Sequence, residues 1–261
     1  MKDYLKITNE DNMELMSRYP DNYFELAIVD PPYRDENQPT KDMRKNGSME
    51  SIQGRPKKDY WDNLFRISKN QIIWGANNFE LPQWKGFVVW KKKTISQNFT
   101  MSMCELASLS EGLSTTSKWI EIAPQGTKDD PRIHPTQKPV ALYQWLLQNY
   151  AGCKTCKNQG GYFEDVAGDG GSQMWIGCDD CYDELNDTNS FKILDTHLGS
   201  GSIAIAVDSV NKIENMNLTL TACELDKEYF DKAIERIENE TKWESVFAEE
   251  KVNIVEQGEL F

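Results

Sequence analysis

The apolar positions of this chain follow two periods that alternate along its length. Short, nearly unbroken apolar runs bounded by turn-forming residues predict buried strands near Glu25–Val29, Gln71–Trp74, Phe87–Trp90, Cys104–Leu109, Trp119–Ile122, Lys192–Asp195 and Thr219–Cys223. Elsewhere apolar residues recur at helical spacing and predict helices near Lys58–Ile67, Pro139–Tyr150, Ser202–Asn211 and Lys227–Glu240. Val140, Tyr143, Leu146, Leu147 and Tyr150 form the stripe of the second, and Pro139 suits its first turn. Phe230, Ala233, Ile234 and Ile237 form the stripe of the last. Strands alternating with helices imply an α/β fold built on a doubly wound, Rossmann-like sheet.

The chemistry stands where the predicted strands stop. Asp30-Pro31-Pro32-Tyr33 follows Leu26-Ala27-Ile28-Val29, and Pro-Pro ends a strand abruptly. A carboxylate, proline-directed backbone and an aromatic ring thus share one strand end. That set suits a flat heterocycle with an exocyclic amine, whose N–H bonds go to the carboxylate and a carbonyl while the ring stacks. Phe191–Asp195 leads into Thr196-His197-Leu198-Gly199-Ser200-Gly201-Ser202 and the apolar Ile203-Ala204-Ile205-Ala206. This is a strand, a glycine turn and a helix, which lets backbone approach a nucleotide-like cofactor. The next run, Leu218–Cys223, ends in Glu224, at the position where such folds hold ribose hydroxyls; a solvated strand-end acid is the plainer reading of Glu224 alone. His134-Pro135-Thr136-Gln137-Lys138-Pro139 opens the helix that ends at Tyr150, and Asp11 stands where it would cap a helix over Asn12–Ser17.

These segments, in this order, resemble the motifs of the beta class of DNA amino-methyltransferases, a circularly permuted arrangement of one fold. The resemblance covers nearly all of residues 1–150 and 191–240. Thr196-His197 departs from it, since the family usually has Pro-Phe there, but both glycines are kept. The resemblance implies S-adenosyl-L-methionine as cofactor and double-stranded DNA as partner, with methyl transfer to the N6 amine of a flipped adenine. It makes Asp30, Pro31, Pro32 and Tyr33 the catalytic set. It gives the cofactor Asp11, Thr136, Gln137, Lys138, Asp195, Gly199, Ser200, Gly201 and Glu224. Within that group Asp11 faces the adenine, Glu224 the ribose, and the His134–Pro139 loop closes over the methionine end. Asp at the first position favours adenine N6; cytosine-N4 enzymes more often carry Ser, and a protein-methylating relative carries Asn. A cytosine-N4 enzyme and a catalytically silent nucleic-acid adaptor on the same fold stay open as alternatives.

A length of 261 residues suits one α/β domain with insertions, here over 1–150 and 191–245. No apolar stretch approaches a membrane span, and Met1-Lys2-Asp3-Tyr4 does not open a secretory signal, so a cytoplasmic protein is expected. The net charge of −13 runs against DNA binding, yet it is segregated. Residues 34–58 carry seven basic and four acidic side chains and residues 85–138 eight and five, whereas residues 164–261 carry seven and twenty-three. DNA would lie along the two positive segments. Residues 34–56 read as a mobile loop, and 91–133 as the target-recognition region, with Lys91, Lys92 and Lys93 either meeting phosphate or simply solvated. Trp74-Gly75-Ala76-Asn77-Asn78-Phe79 resembles a turn in related phage-encoded enzymes and would line the base pocket; a core tryptophan beside a polar turn is the other reading.

Four of the six cysteines form the pairs Cys153/Cys156 and Cys178/Cys181, twenty-one residues apart. They resemble a four-thiolate zinc knuckle inserted over 151–190, with structural zinc; disulfides and free thiols are the alternatives. The spacer, with Gly160-Gly161 and Gly168-Asp169-Gly170-Gly171, is expected to be a loop too polar to fold alone. Cys104 and Cys223 are expected in the core. The tail over 246–261 ends in Gln257-Gly258-Glu259-Leu260-Phe261, which resembles the bacterial sliding-clamp motif with Gly258 replacing a leucine; packing of Leu260 and Phe261 back onto this chain is the other reading.

Overall fold

The computed structural model describes residues 1–34, 54–95, 98, 102–124, 132–134, 136–152, 161–165, 173–177 and 190–242. Along the chain run β1 (Leu5–Asn9), α1 (Asn12–Ser17), β2 (Leu26–Val29), α2 (Lys58–Ile67), β3 (Gln71–Trp74), β4 (Gly86–Lys92), β5 (Cys104–Leu109) and β6 (Lys118–Ile122). These are followed by α3 (Val140–Tyr150), β7 (Gly161–Asp165), β8 (Gln173–Gly177), β9 (Phe191–Asp195), α4 (Ser202–Glu214), β10 (Leu218–Glu224) and α5 (Lys227–Glu240).

Eight strands form one sheet in the order β1-β10-β9-β2-β3-β5-β4-β6, with β5 antiparallel to its neighbours and every other pairing parallel. The unbroken apolar runs reflect burial on both faces. Leu26 and Ile28 of β2 join the cluster packed with α3, α4 and α5, while Ala27 and Val29 join the cluster packed with α1 and α2. A one-residue shift would exchange the two sets.

The connection β9–α4–β10 builds the sheet toward one edge, and β2–α2–β3 builds it toward the other. The order reverses between β9 and β2, which pair through Leu26↔Ile193 and Ala27↔Leu194. A crevice at the carboxyl ends of the strands is expected at such a switch point.

The predicted strands and helices are present, with shifts that have physical causes. β1 was not legible because it is an edge strand, buried at Leu5 and largely open along the rest. On α5 the buried residues are Tyr229, Ala233, Arg236 and Ile237, rather than a stripe with Phe230 and Ile234. The helix is rotated so that the Arg236 guanidinium donates to Ser200 O at 2.8 Å and Ser202 Oγ at 3.0 Å. Pro139 caps α3 from outside it. Cys223 is buried as expected, but Cys104 is exposed at the outer end of β5.

The spacer between the cysteine pairs is not a structureless loop: β7 and β8 pair as an antiparallel hairpin, and Tyr162-Phe163 and Met174-Trp175-Ile176 supply strand-forming sequence. Cys153, Cys156, Cys178 and Cys181 lie outside the described residues, as do the clamp-like Gln257–Phe261 segment and most of the 34–56 loop. Among the described residues no cluster of His, Cys, Asp or Glu is arranged to hold a metal, and no helix is long and apolar enough to cross a membrane.

Candidate active site

Because β1, β10, β9, β2 and β3 are parallel, their carboxyl ends share one edge. Asp195 is the last residue of β9, Glu224 the last of β10, Asp30 follows β2, Asp11 lies shortly after β1 and Gly75 follows β3. Residues 165 positions apart in sequence, Asp30 and Asp195, thus flank the switch point.

On the β9 side, Gly199 and Gly201 hold φ of 56° and 75°, the left-handed region that glycine adopts without a Cβ penalty. Glu224 braces this turn, its Oε2 accepting from Gly199 N at 2.8 Å and its Oε1 from Asp226 N at 3.0 Å. Burial raises the Glu224 pKa above the usual carboxylate range. Asp195 is also buried, and its Oδ1 accepts from His197 N at 2.9 Å. Burial pushes its carboxyl up to about 7; that backbone N–H opposes the shift, and the charges of Asp30 and Glu224 add to it. Asp11 caps α1, accepting from Met13 N at 2.7 Å. The Ser200 and Ser202 hydroxyls pair at 3.1 Å.

The Thr196-His197 departure is embedded in a polar chain. Tyr60 OH meets Thr196 Oγ1 at 2.7 Å, Thr196 Oγ1 meets His197 Nδ1 at 2.9 Å, and His197 Nε2 meets Asn12 Nδ2 at 3.3 Å. Burial lowers the His197 pKa to about 4, so the ring is neutral at pH 7. The network assigns its proton to Nδ1, with the Asn12 amide donating to Nε2.

On the β2 side, Tyr33 OH donates to Asp30 Oδ1 at 2.6 Å, and the Lys138 ammonium reaches Asp30 Oδ2. Burial, then the Asp30 and Glu105 charges, raise the Tyr33 pKa well above its ordinary value, so the phenol keeps its proton. Its ring lies on the backbone of Gly75, where a Cβ would come within 2.2 Å of Tyr33 Cε1, and meets Phe79 edge-on at 5.9 Å. Lys138 also stands 3.2 Å from Glu105 Oε2 and 5.2 Å from the centroid of Trp74. Lys92 bonds Glu105 Oε1 at 2.5 Å.

The loop that carries His134 and Lys138 joins the two halves. At one end His134 covers Gly199, with Nδ1 3.7 Å from where a Cβ would stand, and packs on Tyr229 at 4.3 Å between ring centroids. At the other end Lys138 holds Asp30. Buried Gln137 fixes the bend, its Oε1 accepting from Ile133 N at 2.9 Å and its N donating to His134 O at 3.2 Å. Thr136 is exposed and bonds His134 Nδ1 through its hydroxyl at 3.1 Å. Of the nine residues grouped with the cofactor by sequence, Lys138 is the one placed against the Asp30 carboxylate.

Glu105 and Lys92 carried no motif. Their signals were a lone acid inside the run Cys104–Leu109 and a lysine continuing the inward period of Val88 and Trp90. Lys92 accordingly points inward, and Lys91 pairs with Glu121 at 3.2 Å, so of the three lysines read as meeting phosphate or solvated, two hold carboxylates.

No protein-family model and no curated protein matches this chain. Solved structures do resemble it. M1.HpyAVI in complex with S-adenosylmethionine is 15% identical, covering 89% of this chain and 98% of that one, with a TM-score of 0.49. TTHA0409, a putative DNA modification methylase from Thermus thermophilus complexed with S-adenosyl-L-methionine, is 12% identical over 92% of this chain and 96% of that one, at 0.48. The cytosine-N4-specific PvuII DNA methyltransferase is 9% identical over 91% and 93%, also at 0.48. Likenesses this distant assign no activity.

Proposed function

We propose that this protein transfers a methyl group from S-adenosyl-L-methionine to the N6 amine of adenine in double-stranded DNA. The observation that carries the reading is the pairing of two sites across one switch point, Asp30-Pro31-Pro32-Tyr33 and the Asp195–Gly201 turn, joined by the loop that carries His134 and Lys138.

The donor set fits the cofactor. Asp195 is a buried carboxylate with lone pairs to spare beyond the His197 N–H, which suits an ammonium group. Glu224 retains an acceptor site on each oxygen, which suits hydroxyls. When bound, the cofactor supplies an electrophilic sulfonium methyl. The protein's part is placement. A carboxylate offers about four lone-pair sites, and Asp30 commits two of them to Tyr33 and Lys138. One of the remaining two can accept an N–H of the adenine amine while the Pro31 carbonyl takes the other, which fixes the nitrogen, and the carboxylate can take the proton that the nitrogen must lose. Orientation of this kind supplies most of the rate where no covalent intermediate is needed. Flipping the base costs a few kcal/mol, roughly, offset by stacking on Tyr33 and by backbone contacts. The acid at the first motif position supports adenine over cytosine.

The test is tritium transfer from labelled cofactor to unmethylated genomic DNA, followed by nucleoside analysis. N6-methyladenine is expected, and N4-methylcytosine would transfer the assignment to the other base. Asp30→Ala should abolish transfer with cofactor affinity retained; transfer at the wild-type rate would overturn the mechanism.

Structural zinc held by Cys153, Cys156, Cys178 and Cys181 is part of the same proposal. The register Gly161↔Gly177 supports it, because the hairpin returns the chain to its starting end, and Cys178 is the next residue.

A further inference from the structure

Four charges of alternating sign run away from the proposed reaction centre: Asp30, Lys138, Glu105 and Lys92. They come from four places in the fold, the end of β2, the loop before α3, and the neighbouring strands β5 and β4. The Lys138 and Lys92 side chains are 3% and 8% exposed, and Glu105 is 22% exposed. Glu105 Oε2 is fully enclosed and makes no well-formed hydrogen bond, so the Lys138 ammonium is the charge that meets it.

Resting on the methyltransferase reading, we propose that Glu105 and Lys92 are positioning residues that set, through Lys138, how firmly the Asp30 carboxylate is held. A buried ammonium with one carboxylate partner would settle wholly on that partner and compete with the substrate amine for its lone pairs. Glu105 is the second carboxylate at the ammonium and shares it. Lys92 compensates Glu105, and the four charges sum to zero, so a neutral base enters a site with no uncompensated charge. Burial opposes the ionised form of both groups, but the pairing wins: the two lysines bring the Glu105 carboxyl down to about 2, and the two acids hold Lys138 above the ordinary lysine range.

The experiment measures kcat and KM on unmethylated genomic DNA, and calorimetric affinity for S-adenosylhomocysteine, in wild type, Glu105→Gln, Glu105→Asp, Lys92→Met and the Glu105→Gln/Lys92→Met double variant. Losing the buried carboxylate charge that shares the Lys138 ammonium should lower kcat of Glu105→Gln by about 10-fold or more. Its cofactor affinity should stay within about twofold, as the glycine turn is untouched. Glu105→Asp should recover part of the rate. Lys92→Met should cost less, and the double variant should be no slower than Glu105→Gln, because members of one chain are not additive. Should Glu105→Gln prevent folding, the same split of kcat from cofactor affinity is read in Glu105→Asp and Lys92→Met. Wild-type kcat in Glu105→Gln, multiplicative single effects, or cofactor affinity falling in step with kcat would each overturn the proposal. A wild-type protein that binds cofactor yet methylates no DNA sinks the function itself, and this inference with it.

Discussion

Replacing Asp195 with Asn should stabilise the protein without its cofactor, and should do so more as the pH rises. Asp195 is 2% exposed, and its carboxyl titrates near 7 in the fold against an ordinary 3.8. Between those values the unfolded chain has released a proton that the folded chain retains, so folding stability falls as pH climbs through the window. The separation is about 3 units, and at about 1.4 kcal/mol per unit the loss reaches on the order of 4 kcal/mol by pH 8. At pH 5 less than half of it has developed. Asn keeps the shape and the Oδ1 that accepts from His197 N, and carries no charge to desolvate. Urea unfolding of both proteins at pH 5 and pH 8 reads the difference. An Asn variant no more stable than wild type at pH 8, or one equally stabilised at both pH values, would refute the reasoning.

The same carboxylate must ionise to hold an ammonium, so S-adenosylhomocysteine should bind about 10-fold tighter at pH 8 than at pH 6, and Asp195→Asn should flatten that dependence in calorimetry. Gly75→Ala would set a Cβ 2.2 Å from the Tyr33 ring at a φ of 67°. Displacement of that ring should lower methyl transfer by about 10-fold or more, with cofactor affinity retained, because Tyr33 and the glycine turn lie on different strands. Metal analysis of reduced, freshly purified protein should find one zinc per chain; a content well below one refutes the four-thiolate site.

Much of the sheet was legible because its central strands are buried on two sides, so β2, β3 and β9 announce themselves as apolar runs ended by Pro-Pro or glycine. β1 lacked that signature because an edge strand needs only a weak pattern. The Asp30 and Gly199–Gly201 segments were legible as chemistry because a carboxylate or glycine pair at a strand end breaks the apolar rhythm. Glu105 and Lys92 were not, since their meaning lies in a contact between strands and with a residue of a distant loop. Arg236 is a related case: an apolar period gives no place to a buried charged residue whose partners, Ser200 and Ser202, lie 36 and 34 positions away.

The strand order also governs how the molecule comes together. β9, the neighbour that covers one side of β2, is made some 160 residues after it. During synthesis Leu26–Val29 must therefore wait as an open apolar edge until the last third of the chain arrives. Parallel pairing over such a separation is slow, because the loop-closure entropy falls due before the contacts form. A chain stopped before Phe191 would lack β9, α4, β10 and α5, and would present β2 as a bare sheet edge prone to intermolecular pairing.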